Sequence, residues 1–286
     1  QVFFTKDYTK ESGYANTDWG GGGVQTAPKA GVTENKDGTY AVTLPTNSKG
    51  PVLAILPNVK GGQVAMIVHK DGTQEVVRKS VLRDGDMYLL LEADATIRLV
   101  DYVSTFQDVN SEAWYASAVD FVSGRGLFSG VSENSFAPEA TLNRGALVTV
   151  LYALEQPGAQ TVEERFSDVG AGGWYAQGTA WAVETGVISG YGNGRFGPQD
   201  AVTREQLALM LYQYANSLSA DAGGRSSLAG FKDGGNVSSW AAEAVSWAVD
   251  AGILSGRTGG ILDPSGPATR AEAAVMLCQF MSFLLE

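Results

Sequence analysis

The chain has 286 residues, 44% of them hydrophobic, and a formal net charge of −11. That length supports one large or two to three small domains with proper cores, and the composition is globular rather than disordered. The charge argues against wholesale binding of nucleic acid or an anionic membrane, although a few arginines still suffice for a local anion site.

In chain order, residues 1–31 are polar and read as a linker, with Gly20, Gly21, Gly22 and Gly23 as its most pliable stretch. The start at Gln1, with no charged and apolar leader behind it, reads as a processed or excised C-terminal piece of something longer. Residues 32–104 change to short β-branched or alternating segments separated by turns at Asp37-Gly38, Asp71-Gly72 and Asp84-Gly85. Asp-Gly between apolar runs is a strong hairpin signal. The strand candidates are Thr39–Leu44, Val52–Leu56, Val64–His69, Glu75–Lys79, Met87–Leu91 and Thr96–Val100. They predict a small antiparallel β-sandwich.

From residue 105 a repeat takes over, dividing the rest into 105–165, 166–230 and 231–286. Phe106-Gln-Asp-Val recurs as Phe166-Ser-Asp-Val and, less faithfully, as Phe231-Lys-Asp-Gly. Trp114, Trp174 and Trp240 follow, and 12 residues after each stands Gly126, Gly186 or Gly252 with an aliphatic behind it. Next come Ser129-Gly130, Ser189-Gly190 and Ser255-Gly256, then Pro138, Pro198 and Pro264, and six residues later Arg144, Arg204 and Arg270. The tryptophan-to-arginine spacing is 30 residues in every copy. Each copy reads as helix, loop, helix. The first helix carries a stripe such as Trp174, Trp181 and Val183 and stops at a glycine C-cap. The second places Leu207, Met210, Leu211, Tyr214 and Leu218, or Ala273, Met276, Leu277, Phe280 and Leu284, on one face. A two-helix unit cannot bury its apolar face alone, so three units should pack around a shared axis. The fold class is therefore β plus α in separate domains: a sandwich followed by an all-α, pseudo-threefold set of helix-loop-helix repeats.

The second helices open on Asn143-Arg144-Gly145-Ala146, Thr203-Arg204-Glu205-Gln206 and Thr269-Arg270-Ala271-Glu272. The last two are capping boxes; Asn143 can cap, but Ala146 cannot return the bond. An arginine at the first helical position meets the positive end of the helix dipole, at a cost of roughly 0.3–1 kcal/mol, which implies a compensating anion. Two readings stand side by side: a structural salt bridge to Asp108, Asp168 or Asp233, or a ligand carboxylate on the guanidinium fork. Trp181 and Trp247 read as core. Trp114, Trp174 and Trp240 either pack in the core or offer a face to a sugar ring.

Catalytic signals are poor. His69 is the single histidine and lies in a predicted strand, which argues against a nucleophile–histidine arrangement. One His with one Cys does not build a usual zinc site. Cys278 reads as a small core residue and rules out an intramolecular disulfide. The glycines around Tyr191 follow no strand, so no phosphate loop is supported. The expectation is a non-enzyme with no cofactor, no metal and no membrane insertion, since no apolar run approaches roughly 20 residues.

The pattern Phe-x-Asp-Val, Trp, Gly-aliphatic, Phe-x-Pro, Thr-Arg-Ala-Glu resembles the S-layer homology repeat, in three copies from about Phe106 to the C-terminus. The resemblance implies a trefoil of helices whose inter-repeat grooves bind a secondary cell-wall polymer, often one pyruvylated on N-acetylmannosamine. It implies that Arg144, Arg204 and Arg270 meet the ketal carboxylate, with Asp108, Asp168, Asp233, Gly130, Gly190 and Gly256 shaping the sugar site. It also implies an extracellular, wall-attached location on a Gram-positive-type bacterium. Rival expectations are a lattice subunit that self-associates through protein contacts, and the C-terminal anchor of a larger carbohydrate-active enzyme. The copies differ. The second is closest to the pattern; the first has Asn-Arg-Gly-Ala, and the third has Gly234 and Leu262 where Val and Phe are usual. Unequal grooves are expected.

Overall fold

A computed structural model describes residues 29–285 except 49, 163, 164 and 221. The predicted linker, with Gly20–Gly23, lies outside the described residues as far as residue 28.

Alternating burial over residues 31–101 follows from alternating side-chain chemistry, and it yields eight strands. They are β1 Gly31–Glu34, β2 Tyr40–Thr43, β3 Val52–Leu56, β4 Gln63–Val68, β5 Gln74–Val76, β6 Ser80–Arg83, β7 Asp86–Leu91 and β8 Ala95–Asp101. All pair antiparallel, in one sheet ordered β1-β2-β8-β4-β5 and another ordered β3-β7-β6. The register of β3 on β7 sets Leu56 opposite Met87 and Val52 opposite Leu91. Val42, Ala65 and Ile97 of the first sheet and Leu56, Met87 and Leu89 of the second share one core.

All three Asp-Gly turns form hairpins, joining β1 to β2, β4 to β5 and β6 to β7. Asp84 and Gly85 both have positive φ, at 52° and 83°, as a two-residue hairpin turn requires. Two strands escaped the sequence reading. β1 is short and mostly exposed. β6 opens with Ser80, a polar residue that is fully buried because its hydroxyl donates to the Val77 carbonyl at 2.7 Å. The strand expected at Glu75–Lys79 shortens to Gln74–Val76.

The chain divides into two compact units, one of residues up to 105 with 110–126 and 281–286, the other of 106–109 with 127–280. Helix α1, Ala116–Gly124, thus clusters with the strands. Arg125 supplies the reason. It is buried, and its Nε donates to the Ser80 carbonyl at 2.9 Å and to Ser80 Oγ at 3.1 Å. Its guanidinium lies 3.9 Å from the Phe121 ring centre. The other copies have Thr185 and Ala251 at that place and carry no such clasp.

The second unit holds α2 Arg144–Glu155, α3 Ala176–Glu184, α4 Arg204–Ser217, α5 Ala242–Asp250 and most of α6 Arg270–Leu284. Helix α3 packs on α2 and α5 on α4. The glycines expected to stop the first helices, Gly126, Gly186 and Gly252, have φ of 62°, 74° and 68°, where a Cβ would strain the chain. One part of the predicted stripe fails. Helix α3 begins two residues beyond Trp174, so only Trp181 turns into the core, and Trp174 stays 57% exposed. The second helices bury Leu207, Met210, Leu211 and Tyr214 in α4 and Ala273, Met276, Leu277 and Phe280 in α6, while Leu218 and Leu284 are half-buried. Tyr214 stacks at 5.6 Å from Phe280 and 5.8 Å from Trp181. Cys278 is half-buried.

Just ahead of α2, α4 and α6 the three copies meet in a closed cycle of backbone hydrogen bonds. Leu142 N donates to Ala268 O at 2.9 Å, Ala268 N to Val202 O at 2.9 Å, and Val202 N to Leu142 O at 2.8 Å. All three residues are buried.

Candidate functional site

The first amides of a helix have no partner inside it and must find acceptors elsewhere. Part of that need is met by caps. Asn143 accepts from Ala146 N at 2.7 Å, Thr203 from Gln206 N at 3.3 Å and Thr269 from Glu272 N at 3.1 Å. Gln206 and Glu272 return the bond to Thr203 N and Thr269 N, and Ala146 does not, as its side chain dictates. The rest is met by the loop of the next copy. Arg144 N and Gly145 N donate to Asp200 O and Pro198 O, Arg204 N and Glu205 N to Gly266 O and Pro264 O, and Arg270 N and Ala271 N to Ala140 O and Pro138 O. Gly145 also explains why the first copy departs from Thr-Arg-Ala-Glu: a Cβ there would come within 2.9 Å of the Pro198 carbonyl and 3.2 Å of Tyr175.

The arginine side chains continue the same handover. Nε of Arg144 donates to Phe196 O at 2.9 Å and Nη2 to Ser189 O at 3.2 Å. Arg204 does so to Leu262 O at 2.9 Å and Ser255 O at 2.6 Å, and Arg270 to Phe136 O at 2.8 Å and Ser129 O at 2.7 Å. Arg144 is 5% exposed, Arg204 3%, and Arg270 is half-buried. Burial pushes each guanidinium below its ordinary pKa, yet an arginine remains cationic in a protein. Carbonyl oxygens of the neighbouring copy thus brace all three guanidinium groups, and among the described residues Arg204 alone also meets a carboxylate, Glu272, at 2.9 Å.

Asp108, Asp168 and Asp233 are committed elsewhere. Asp108 accepts from Ser135 Oγ at 2.6 Å and from Phe136 N and Ala137 N at 2.8 Å each. Asp168 accepts from Phe196 N and Gly197 N, and Asp233 from Leu262 N and Asp263 N, all within 2.9 Å. For Asp108 and Asp168 desolvation pulls the pKa upward, but these hydrogen bonds outweigh it; for Asp233 the bond from Leu262 N leads. All three carboxyls sit below their ordinary value. None of these three aspartates forms an ion pair with Arg144, Arg204 or Arg270; Asp168 faces Arg195 instead, at 3.4 Å. The two sets are joined through one peptide unit. Phe136, Phe196 and Leu262 each give their N–H to the aspartate of their own copy and their carbonyl to the arginine of another.

Gly130, Gly190 and Gly256 lie under the opening aromatic of each copy. A Cβ would approach Phe106, Phe166 and Phe231 to 2.6, 2.4 and 2.7 Å. Trp114, Trp174 and Trp240 are 49%, 57% and 53% exposed, so the core-packing reading of these three fails and each presents a face to solvent. Trp174 leans edge-on against Tyr175 at 5.2 Å, and Trp114 against Tyr115 at 5.3 Å.

The remaining guanidinium edges differ. Arg204 Nη1 donates to Glu272 Oε1 at 2.9 Å. Nη1 of Arg144 and of Arg270 has no hydrogen-bond acceptor among the described residues. Arg144 lies 4.8 Å from the Tyr191 ring centre and 4.7 Å from that of Phe196; Arg270 lies 5.2 Å from Phe128 and 4.6 Å from Phe136. A fixed cation with one open edge beside aromatic rings suits a carboxylate carried on a sugar. Sequence reasoning missed two residues here. Glu205 is buried and accepts from Ser238 N and Oγ, both at 2.9 Å. Arg257 follows Ser-Gly where the other copies have Val131 and Tyr191, and it grips Glu272. Each stands out only as a charged residue at a place uncharged in its sister copies.

Among the described residues no cluster of His, Cys, Asp and Glu could hold a metal ion, and no helix is long and apolar enough to cross a membrane. A cavity of 420 Å³ lies along α3 between Gln160, Phe166, Thr179 and Val183, and none of the candidate residues lines it.

The S-layer homology domain family model matches residues 105–147, 165–208 and 230–274, and each match ends just past the arginine. The chain carries three tandem S-layer homology domains. Relatives that share them include the amylopullulanase of Thermoanaerobacterium thermosulfurigenes, 30% identical over 62% of this chain and 9% of that protein. The surface-layer 125 kDa protein of Lysinibacillus sphaericus is 30% identical over 59% of this chain and 14% of its own. The cellulosome-anchoring protein of Acetivibrio thermocellus is 31% identical over 42% and 28%. The chain thus spans only a small part of the length of the relatives it matches.

Proposed function

We propose that the three S-layer homology domains form a pseudo-threefold trefoil that anchors the protein non-covalently to an acidic cell-wall polysaccharide, at the bacterial surface and without catalysis. The open edge of a carbonyl-braced guanidinium, buried at Arg144 and half-buried at Arg270, carries this reading. Two of the donor positions are locked in the fold, so the third points at a ligand with little entropy left to lose. A pyruvate ketal on the glycan matches it, being a carboxylate rigidly held on a sugar ring. The exposed Trp114, Trp174 and Trp240 offer stacking faces for neighbouring sugars, and Asp108, Asp168 and Asp233 with Gly130, Gly190 and Gly256 shape the loops that line the grooves. Several weak grooves on one chain raise avidity together. The names of the relatives support the same role: one is an anchoring protein, one a surface-layer protein, and the enzyme among them shares only a small fraction of its length with this chain.

Sedimentation of the full chain with purified cell walls, before and after acid removal of pyruvate ketals, tests the proposal. Binding that disappears with the ketals is the expected result. Binding that survives deketalisation keeps the anchor and discards the carboxylate. No binding, with large assemblies appearing by light scattering in the absence of walls, would replace the anchor by the self-associating lattice subunit that the surface-layer relative suggests.

A further inference from the structure

The three arginines come from one repeated motif, yet their surroundings give them different capacities. Arg204 is saturated. Nε donates to Leu262 O, Nη2 to Ser255 O and Nη1 to Glu272 Oε1, at 2.9, 2.6 and 2.9 Å. The glutamate is itself deeply held, with its side chain 11% exposed. Besides Arg204 it accepts from Thr269 N at 2.9 Å, from Arg257 Nε at 2.7 Å and from Arg257 Nη2 at 2.9 Å. Arg257 is held in turn by Asp263 and by the Pro267 carbonyl.

We infer that the groove headed by Arg204 is closed to anionic ligands by the chain's own Glu272, and that anion capture falls to the grooves headed by Arg144 and Arg270. The inference rests on the wall-binding reading above and assigns its sites. A ligand carboxylate at Arg204 would have to displace one that is tethered to the same chain, and so present at a high effective concentration. Displacement would also strand a nearly buried carboxylate away from one of its two cations. Neither obstacle exists in the other grooves. The positions corresponding to Glu272 are Ala146 and Gln206, both neutral, and those corresponding to Arg257 are Val131 and Tyr191. The acid and the second arginine occur in the same copy, as a mutually paired set requires.

The test uses the ¹⁵N-labelled full chain and follows the arginine Nε–Hε signals, assigned through single Arg→Lys variants. The probe is the 4,6-pyruvate ketal of methyl N-acetyl-β-D-mannosaminide. In the natural sequence the probe should move the Arg144 and Arg270 signals and leave Arg204 in place. In Glu272→Gln the Arg204 signal should respond, with an apparent Kd at least tenfold tighter than in the natural sequence. Glutamine keeps the cap, because Gln206 already fills that role in the second copy. Silence at Arg144 and Arg270 with a response of Arg204 only in Glu272→Gln would sink the wall-binding reading and leave the closure standing. A response of Arg204 in the natural sequence equal to the other two, or no response of Arg204 in Glu272→Gln, would overturn the closure.

Discussion

The two sheets enclose an apolar core, with Leu56, Met87, Leu89 and Ile97 out of contact with water, whereas the repeat unit buries Arg144, Arg204 and Glu205 beside Leu147, Leu207 and Leu211. The difference follows from how each element satisfies its backbone. Strands pair edge to edge, so neighbouring segments are joined by main-chain hydrogen bonds and the side chains need only be apolar. Helices satisfy the backbone of their own interiors and leave main-chain groups open to a neighbour only at their ends. A joint between helical copies therefore needs a long side chain with several donors, and arginine reaching loop carbonyls is that side chain. The buried charge in the repeats is thus a joining device first, and a ligand group only where an edge is left open.

Three substitutions separate these two modes. Arg204→Ala should have the largest effect, about 4 kcal/mol, because it removes three hydrogen bonds and leaves a nearly buried Glu272 with one cation fewer. Hydrogen-exchange mass spectrometry should show the loss of protection in peptides of α4, α5 and α6, and a cost below about 1 kcal/mol would mean that the clasp is incidental. Leu89→Ala should cost about 3 kcal/mol through the cavity it leaves between the two sheets. Its exchange signature should lie in β3, β6 and β7; equal loosening around Arg204 would deny the two units their separate stabilities. Asn143→Ala should cost about 1 kcal/mol by removing the cap on Ala146 N. That loss should be confined to the first turn of α2, since Arg144 N and Gly145 N keep their acceptors in the neighbouring loop.

The strand unit was legible because alternation and Asp-Gly turns are local signals, and its two omissions are equally local. Gly31–Glu34 is too exposed to alternate, and Ser80 hides a buried strand start behind a polar residue. The repeats were legible as repeats from the fixed step between Trp114 and Arg144 and its two echoes. What each motif residue does was not. That Phe196 would carry its N–H to Asp168 and its carbonyl to Arg144 depends on which loop lies against which helix, and spacing along one copy says nothing of that. The tryptophans misled for a simpler reason: Trp174 has the right period for the helix stripe but sits before the helix begins. Glu272 was visible as a capping residue, and its second role appears only once Arg204 and Arg257 are seen on either side of it.

The cycle of bonds through Leu142, Val202 and Ala268 has a kinetic consequence. Two of its links tie residues of adjoining copies, but the third runs from Leu142 to Ala268, across more than a hundred intervening positions. Closing that link carries the loop entropy of a long chain and brings its reward only at the end. Folding of the repeats should therefore be limited by the arrival of the third copy on the first. Until then Leu142 offers an unmatched amide, which any suitable carbonyl on another molecule could accept.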